Sequence, residues 1–399
     1  MKTQNKTARE PLLRVVKRDS MPFWESMLIR AIAVVLGLLA CLLLCLIIVP
    51  GIDISKLLKT FFEGVFGSFE DNNAMWRSFW EQINAEDVDI KRSFKTLFES
   101  NICQNLWELA KDSAMLLCVS LAVTPAFRMK FWNIGAEGQT LIGVLASAGV
   151  SYYLGGKLPE PLLLVLMLIA SVLVGAIWGF LPAIFKAKWN TNETLFTLMM
   201  NYVAIGFVAF FLDLWVPKTG SVLGTLEYGV FPQVFHKYFL VVVLALVLAA
   251  IVYVYLNFTK HGYEISVVGE SEKTARYIGI NVSKVIVRTM IVSGAICGMV
   301  GFLIMSAVDN SVTETTVGGM GFTAIMVSWL AKFNPLVMIG ISAFISFIQK
   351  GSAEIGSAID PSFPNIIVGT ILLFIIGCEF FIGYKLKFRE KTKKGGTAS

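Results

Sequence analysis

Charge is scarce in this chain. Asp, Glu, Lys and Arg make up 16% of its 399 residues against a hydrophobic share of 56%, where a soluble domain carries about 25% charge. That shortage excludes an ordinary soluble fold and points to a polytopic membrane protein. Histidine is scarcer still, with His236 and His261 as the whole complement, and neither HExxH nor a Walker A GxxxxGK[ST] occurs. The cysteines, Cys41, Cys45, Cys103, Cys118, Cys297 and Cys378, form no CxxC pair. All but Cys103 sit in apolar runs, where cysteine behaves as a small hydrophobe. No disulfide framework, metal site or nucleotide-hydrolysing apparatus follows, so the chain is expected to be non-catalytic and to bind no cofactor. Any ATP, with its Mg, belongs to a partner. The net charge of +6 does not suggest nucleic acid; its placement matters more than its sum.

Long apolar runs take the place of charge. At about 20 residues per span plus a connection, a chain of this length makes roughly ten helices in one bundle. The uncharged stretches predict helices near Leu28 to Val49, Ser113 to Phe127, Gly138 to Leu154, Pro161 to Phe185, Thr194 to Leu212, Tyr238 to Leu256 and Thr289 to Val308. Gly318 to Ala331, Pro335 to Ile348 and Pro364 to Tyr384 follow. The two runs flanking Lys332 are individually short, which leaves a broken or re-entrant element open and sets the expected count at about eight to ten. The fold class expected is therefore an all-α integral membrane bundle. The first span, 28–49, follows a basic arm, 1–27, and lacks a small-residue cleavage site before the loop, so it reads as an uncleaved anchor.

Lys and Arg near helix ends set orientation. Lys2, Lys6, Arg9, Arg14, Lys17, Arg18 and Arg30 precede or open the first span, and the tail, 385–399, carries Lys385, Lys387, Arg389, Lys391, Lys393 and Lys394. Both termini are thus expected to be cytoplasmic, which requires an even number of spans. Ten spans place Arg128, Lys130, Lys186, Lys188, Lys332 and the loop 259–288 on that same side. The segment 50–112 holds seven basic and eleven acidic residues between Gly51 and Asp112, but a loop this long crosses largely regardless of charge and is expected outside. Its Ile54, Leu57, Leu58, Phe61, Phe62, Val65 and Phe66 follow an i, i+3, i+4 pattern, continued by Trp76, Phe79 and Trp80. That pattern reads as an amphipathic helix, serving as a lid on the outer helix ends or as a docking surface for an extracytoplasmic partner. The core of the bundle is then 113–384.

One string in that core is especially informative: Phe131-Trp132-Asn133-Ile134-Gly135-Ala136-Glu137-Gly138-Gln139. Asn133 can cap a helix, Gly135 and Gly138 permit close backbone approach, and Glu137 falls in a first turn, where the helix dipole favours a carboxylate. An ionisable group at this depth reads either as a functional, paired residue or as a cap for free amides. Farther on, Asn192-Glu193-Thr194 and Thr197-Leu198-Met199-Met200-Asn201-Tyr202 put a polar Asn201 about two turns inside a helix. There it lines a wet route or makes an interhelical hydrogen bond.

These strings resemble the permease subunits of ABC importers of the ribose and branched-chain amino acid group, most closely the nucleoside branch, whose members typically read FNIGAEGQ and NE...TxMxNY. The loop from Thr259 to Arg288 adds Gly262, Gly269, Ala275, Tyr277, Gly279 and Ile280, which match the family's G...R.vG.n..aA.yaGi, with Glu270 beside them. The resemblance implies that this loop docks as a coupling helix in a groove of a cytoplasmic ATPase. Ser266, Ser271 and Thr274 depart from the usual Arg, Asn and Ala. Gly318-Gly319-Met320-Gly321-Phe322-Thr323-Ala324-Ile325, then Trp329-Leu330-Ala331-Lys332 and Pro335, resemble GxGFxAIaVALLGxnnP. Pro335 suits a first helical turn, whereas Trp329 and Lys332 fall within the family's Ala-Leu-Leu-Gly; Trp329 alters the pore or packs at an interface.

The resemblance covers most of Leu106 to Tyr384. It implies an importer subunit in the bacterial plasma membrane, working by alternating access with a separate ATPase, a second permease and an extracytoplasmic substrate-binding lipoprotein. Nucleosides are the substrates implied, with ribose or other sugars and branched-chain amino acids as rivals. An ATPase-independent secondary transporter or channel is the alternative from a different class. Glu137, Gln139, Asn201, Tyr202, Phe207 and Trp329 are the candidate pathway residues. GxxxG spacings at Gly175/Gly179 and Gly294/Gly298 suggest close crossings inside the bundle or against a second permease, and Glu379 is expected to pair with Lys385 or Lys387.

Overall fold

The computed structural model describes residues 13–18, 22–48, 53–83, 98, 100–216, 222–359 and 363–388. In chain order these form β1 (Leu13–Lys17), α1 (Phe23–Ile48), α2 (Ile54–Phe66), α3 (Phe69–Ile83), α4 (Asn101–Arg128), α5 (Ala136–Leu154) and α6 (Glu160–Trp189). Then come α7 (Glu193–Trp215), β2 (Val222–Leu223), α8 (Phe239–Phe258), α9 (Lys260–Glu270), α10 (Glu272–Tyr277) and α11 (Val282–Leu303), whose last turn widens into a π-helix, Ile304–Asp309. The chain ends through β3 (Val312–Thr313), α12 (Met320–Leu330), α13 (Pro335–Ile359), α14 (Phe363–Gly383) and β4 (Tyr384–Phe388). Residues 1–12 and 389–399 of the basic arm and tail lie outside the described residues, as do 84–97 of the segment 50–112.

Among the described residues, eight helices are long and apolar enough to cross a bilayer: α1, α4, α6, α7, α8, α11, α13 and α14. This is the all-α polytopic fold expected. The ten predicted runs all contain helices, and the remaining two are α5, which carries Glu137, Gln139 and several Gly and Ser residues, and α12, which has 11 residues. At 1.5 Å per residue α12 spans only about 16 Å, half a bilayer core. Its neighbour α13 is not short as expected, because the helix continues past Lys350, whose charge closed the apolar run; Lys350 pairs with Glu108 at 2.5 Å. Likewise α4 begins at Asn101, 12 residues before its uncharged stretch, where the Ser100 hydroxyl accepts the N–H of Cys103. Ser, Thr or Asn side chains cap α7, α9, α10 and α11 in the same way, satisfying amides left free by the first turn.

The chain divides into two units. In the larger, residues 61–351, α4 and α11 are the most buried spans, while α6 and α7 bury little of their surface. Glycine decides how closely the central helices pack. The pairs Gly175/Gly179 on α6 and Gly294/Gly298 on α11 meet one another inside the bundle: a Cβ on Gly175 would stand 2.7 Å from the Cα of Gly298, and one on Gly179 2.6 Å from the carbonyl oxygen of Met290. Gly143 of α5 meets Gly298 from the other side, again at 2.7 Å. Within this unit Phe61 of α2 packs against Phe347 of α13, and the Asn101 amide donates to Asp71 of α3 at 3.3 Å.

In the smaller unit, 1–60 and 352–399, α1 and α14 run antiparallel. Gly37 lies on Ile371, and the Cys41 thiol donates to the carbonyl of Ile367 at 3.6 Å. Glu379 has Arg30 as a partner, at 2.6 Å, a pairing across the two helices that the sequence pattern around Lys385 and Lys387 did not suggest. The reason is geometric: β4 leaves the helix at Tyr384 to pair antiparallel with β1, Lys385 opposite Val16, while Arg30 lies across on α1.

Candidate functional site

The string from Phe131 to Gln139 folds into a buried polar knot between four helices. The loop drops from the end of α4, where the Phe131 N–H returns to the carbonyl of Ala126 at 2.9 Å. Asn133 is fully buried. Its Oδ1 accepts the N–H of Gly135 and Nε2 of Gln139, both at 3.1 Å, and its Nδ2 donates to Gln139 Oε1 at 3.3 Å and to the Ser293 hydroxyl of α11 at 3.2 Å. From α7, Asn201 reaches across: its Oδ1 accepts the N–H of Gly138 at 2.9 Å and its Nδ2 donates to the carbonyl of Ile134 at 3.0 Å. Thr197, one turn earlier, accepts the N–H of Ile134 at 3.2 Å. A polar group at this depth is costly unless paired, and each of these has its pair.

Glu137 does not cap its own helix. Its carboxylate reaches α12, Oε1 accepting the N–H of Gly319 and Oε2 that of Gly321, both at 2.7 Å. Two orphan amides at the start of a half-helix are thereby satisfied by a charge that the helix dipole favours. Glycine is required here twice over. Gly318 and Gly319 have φ of 61° and 80°, and a Cβ on Gly321 would come within 2.5 Å of the Glu137 nitrogen. At the other end of α12, Trp329 packs on Trp132, ring centroids 5.2 Å apart, and Ser328 shares a hydrogen with Thr124 of α4 at 2.9 Å. There α12 closes in a Schellman arrangement: Phe333 N–H to Ser328 carbonyl at 3.0 Å and Lys332 N–H to Trp329 carbonyl at 2.9 Å. Lys332 occupies the left-handed position, φ 50°, that glycine usually fills.

Of the six pathway candidates, Glu137, Gln139 and Asn201 thus meet in the knot and Trp329 lies on its edge. Tyr202 is exposed on the outer face of α7, and Phe207 sits two turns away against Trp178, centroids 5.8 Å apart. Phe207 and Trp178 line a cleft of about 340 Å³ between α5, α6 and α7 with Tyr153, Phe211 and Trp215. Its walls are almost wholly apolar, chemistry that suits hydrocarbon better than a polyol. Ser293 was not singled out by sequence; a lone serine in an apolar run carries no signal until its partner Asn133 is placed beside it. Asn192 caps α7 by accepting the Leu195 N–H at 3.2 Å, Glu193 pairs with Lys186 at 2.9 Å, and Pro335 opens α13.

The loop 259–288 forms a second feature. Gly262 sits against the carbonyls of Tyr255 and Leu256, and Gly269 lies directly on the backbone of Arg128 and Met129 at the end of α4. An ion pair, Glu264 to Arg288 at 2.8 Å, fastens α9 to α11. The short α10 follows with Ala275 buried beneath it, Tyr277 92% exposed and Ile278 half exposed. Ser271, which departs from the Asn of the resembled pattern, accepts the N–H of Thr274 at 3.2 Å as the cap of α10; both residue types do this work equally. Glu270 ends α9, Gly279 makes the exit turn at φ 85°, and the Ile280 N–H returns to the Ala275 carbonyl at 2.9 Å. Among the described residues, no group of three or more His, Cys, Asp or Glu is placed to hold a metal.

Comparison with known proteins puts this arrangement in context. Residues 105–376 match the family described as "Branched-chain amino acid transport system / permease component", a stretch that holds the knot, α12 and the α9–α10 projection. The guanosine ABC transporter permease protein NupP of Bacillus subtilis is 28% identical over 288 residues, covering 69% of this chain and 81% of NupP. The glucose ABC transporter permease protein TsgB13 of Haloferax volcanii is 27% identical over 328 residues, 76% of this chain and 84% of its own. The guanosine permease protein NupQ, also of Bacillus subtilis, is 27% identical over 290 residues, 68% and 89% of the two chains. No solved structure matches.

Proposed function

We propose that this chain, which belongs to the branched-chain amino acid transport permease family, is the nucleoside-conducting subunit of an ATP-driven importer. It is a multi-pass plasma membrane protein and, as a permease of an ABC system, leaves ATP hydrolysis to separate subunits. The nucleoside assignment is supported by relatives named for guanosine. In this reading the α9–α10 segment is the coupling element: Tyr277 and Ile278 enter a groove of the cytoplasmic ATPase, and closure of the ATPase dimer displaces α9. A binding lipoprotein delivers the solute outside, and differing affinity of inward- and outward-open states carries it across. The basic arm and tail are then cytoplasmic and 50–112 extracytoplasmic. Two guanosine permeases in one organism favour a second, different permease as the partner.

The observation that carries this reading is that the family match spans both the projecting α10 and the knot that joins α5, α7, α11 and α12. The test is uptake of labelled guanosine, adenosine, uridine, ribose and glucose in cells with and without the gene, and with and without the ATPase. ATP-dependent loss of nucleoside uptake is expected. Loss of glucose or ribose uptake instead supports the sugar reading, which the 76% coverage by a relative named for glucose favours. Uptake that persists without any ATPase defeats the importer reading.

A further inference from the structure

We propose that Glu137 is the joint through which displacement of the α9–α10 segment reaches α12; the proposal rests on the coupling role assigned to that segment. Three contacts in series suggest it. Gly269 of α9 touches Arg128 and Met129 backbone on backbone, so that even a Cβ on Gly269 would collide with the Arg128 carbonyl oxygen. A push at α9 therefore cannot be absorbed by a side chain changing rotamer; it moves the end of α4. From Met129 the chain runs through buried Phe131 and Asn133 into the knot, whose hydrogen bonds leave little slack between Asn133 and Gln139. The knot then grips α12 twice, by the Glu137 carboxylate on the Gly319 and Gly321 amides at 2.7 Å and by Trp132 on Trp329 at 5.2 Å. Charge-assisted bonds from both oxygens of one half-buried carboxylate fix direction as well as distance.

The half-helix is set off from its neighbours in the chain by breaks in the backbone at both ends, and besides the knot it is held by Ser328 on Thr124 of α4 at 2.9 Å. Left-handed backbone at Gly318 and Gly319 breaks the chain before it, and at Lys332 and Phe333, φ 50° and 60°, after it. Glu137 is thus a positioning residue: it ties a hinged half-helix to α5, so that the two move together when the end of α4 is displaced.

The test uses the whole transporter, with its ATPase, second permease and binding protein, in vesicles. The readout is solute imported per ATP hydrolysed, which a merely destabilised permease leaves unchanged because inactive copies do neither. Glu137→Ala is expected to lower that ratio at least tenfold and Glu137→Gln, which keeps one acceptor, several-fold. Should Glu137→Ala fail to assemble, Gly321→Ala separates the same pair from the other side and is expected to act in the same direction. An unchanged ratio in Glu137→Gln and Gly321→Ala overturns the joint. Spin labels on Tyr152→Cys of α5 and Met326→Cys of α12, both exposed sites, give a second readout. Their separation is expected to stay constant between nucleotide-free and vanadate-trapped states, and a change with Glu137 intact also overturns it. If the unmodified transporter imports solute without ATP, the importer reading fails instead, and the two failures are distinct.

Discussion

Gly175 of α6 and Gly294 of α11 meet backbone to backbone: a methyl group on Gly175 would stand 2.5 Å from the carbonyl oxygen of Gly294. Helices in lipid gain nothing from the hydrophobic effect on meeting each other, so this contact holds through close packing that a side chain would prevent.

Gly294→Ala and Gly175→Ala are each expected to destabilise the permease by about 1–3 kcal/mol as overpacking forces the helices apart. Because the residues touch, the double variant is expected to lose less than the sum. Gly206 on α7 is the control, since nothing lies within 4 Å of its missing Cβ. Gly206→Ala is expected to be neutral or to raise stability by up to about 1 kcal/mol. Thermal unfolding of the detergent-solubilised protein reads all four. Equal effects at Gly206 and Gly294 would show that helix propensity, not the crossing, governs this pair.

Asn201 gives a second, sharper case. Replacing it by Leu leaves the Gly138 N–H and the Ile134 carbonyl buried without partners, each worth about 1–3 kcal/mol. Asn201→Asp keeps the acceptor for Gly138 but sets a carboxylate against the Ile134 carbonyl, so it too is expected to destabilise. If Asn201 only secures the knot, both variants reduce uptake of every solute in proportion to the folded permease in the membrane. A change in the apparent KM of one nucleoside relative to another would instead put Asn201 against the passing solute.

Apolar runs made the helical bundle legible in the sequence, and the glycine spacings marked the α6–α11 crossing before its partner was visible. What charge concealed was extent: Glu108, Lys111 and Asp112 hid the first part of α4, and Lys350 hid the continuation of α13. The candidate site was legible as residues but not as relationships. Asn133, Glu137, Gln139 and Asn201 stood out because polar groups in apolar surroundings need an explanation. That Glu137 serves a helix beginning 183 residues later in the chain, at Met320, depends on tertiary contact that no local pattern encodes. The pairing of Arg30 with Glu379 escaped for the same reason, since the two residues lie 349 positions apart in the chain.

Lys332 departs from the glycine of the resembled pattern at a place the structure makes specific. As the left-handed residue of the turn that ends α12, with φ 50°, it bears a strain of about 1–2 kcal/mol that glycine avoids. Lys332→Gly is expected to raise stability by about 0.5–1 kcal/mol once the flexibility of glycine in the unfolded chain is offset. Lys332→Val, β-branched, is expected to lower it. Unfolding midpoints of the two variants check the sign, and a fall for Lys332→Gly would mean that contacts of the lysine side chain outweigh the backbone strain.

At the α9–α10 projection, stability and partner binding are expected to separate. Tyr277 is 92% exposed, and truncating a side chain that touches so little of its own protein changes folding by less than about 0.5 kcal/mol. If its ring fills a pocket on the ATPase, Tyr277→Ala removes an aromatic anchor worth about 2 kcal/mol or more, roughly thirtyfold in Kd. Ser271 acts one step back. Ser271→Ala removes the cap of α10, at about 1 kcal/mol, whereas Ser271→Asn retains it. The expected order of ATPase affinity is therefore native and Ser271→Asn together, then Ser271→Ala, then Tyr277→Ala, with the unfolding midpoint nearly constant for Tyr277→Ala. Titration of the purified ATPase onto the permease in nanodiscs measures this order. Undiminished affinity in Tyr277→Ala would remove α10 from the interface, because a six-residue helix with its aromatic ring in solvent has little else to offer a partner.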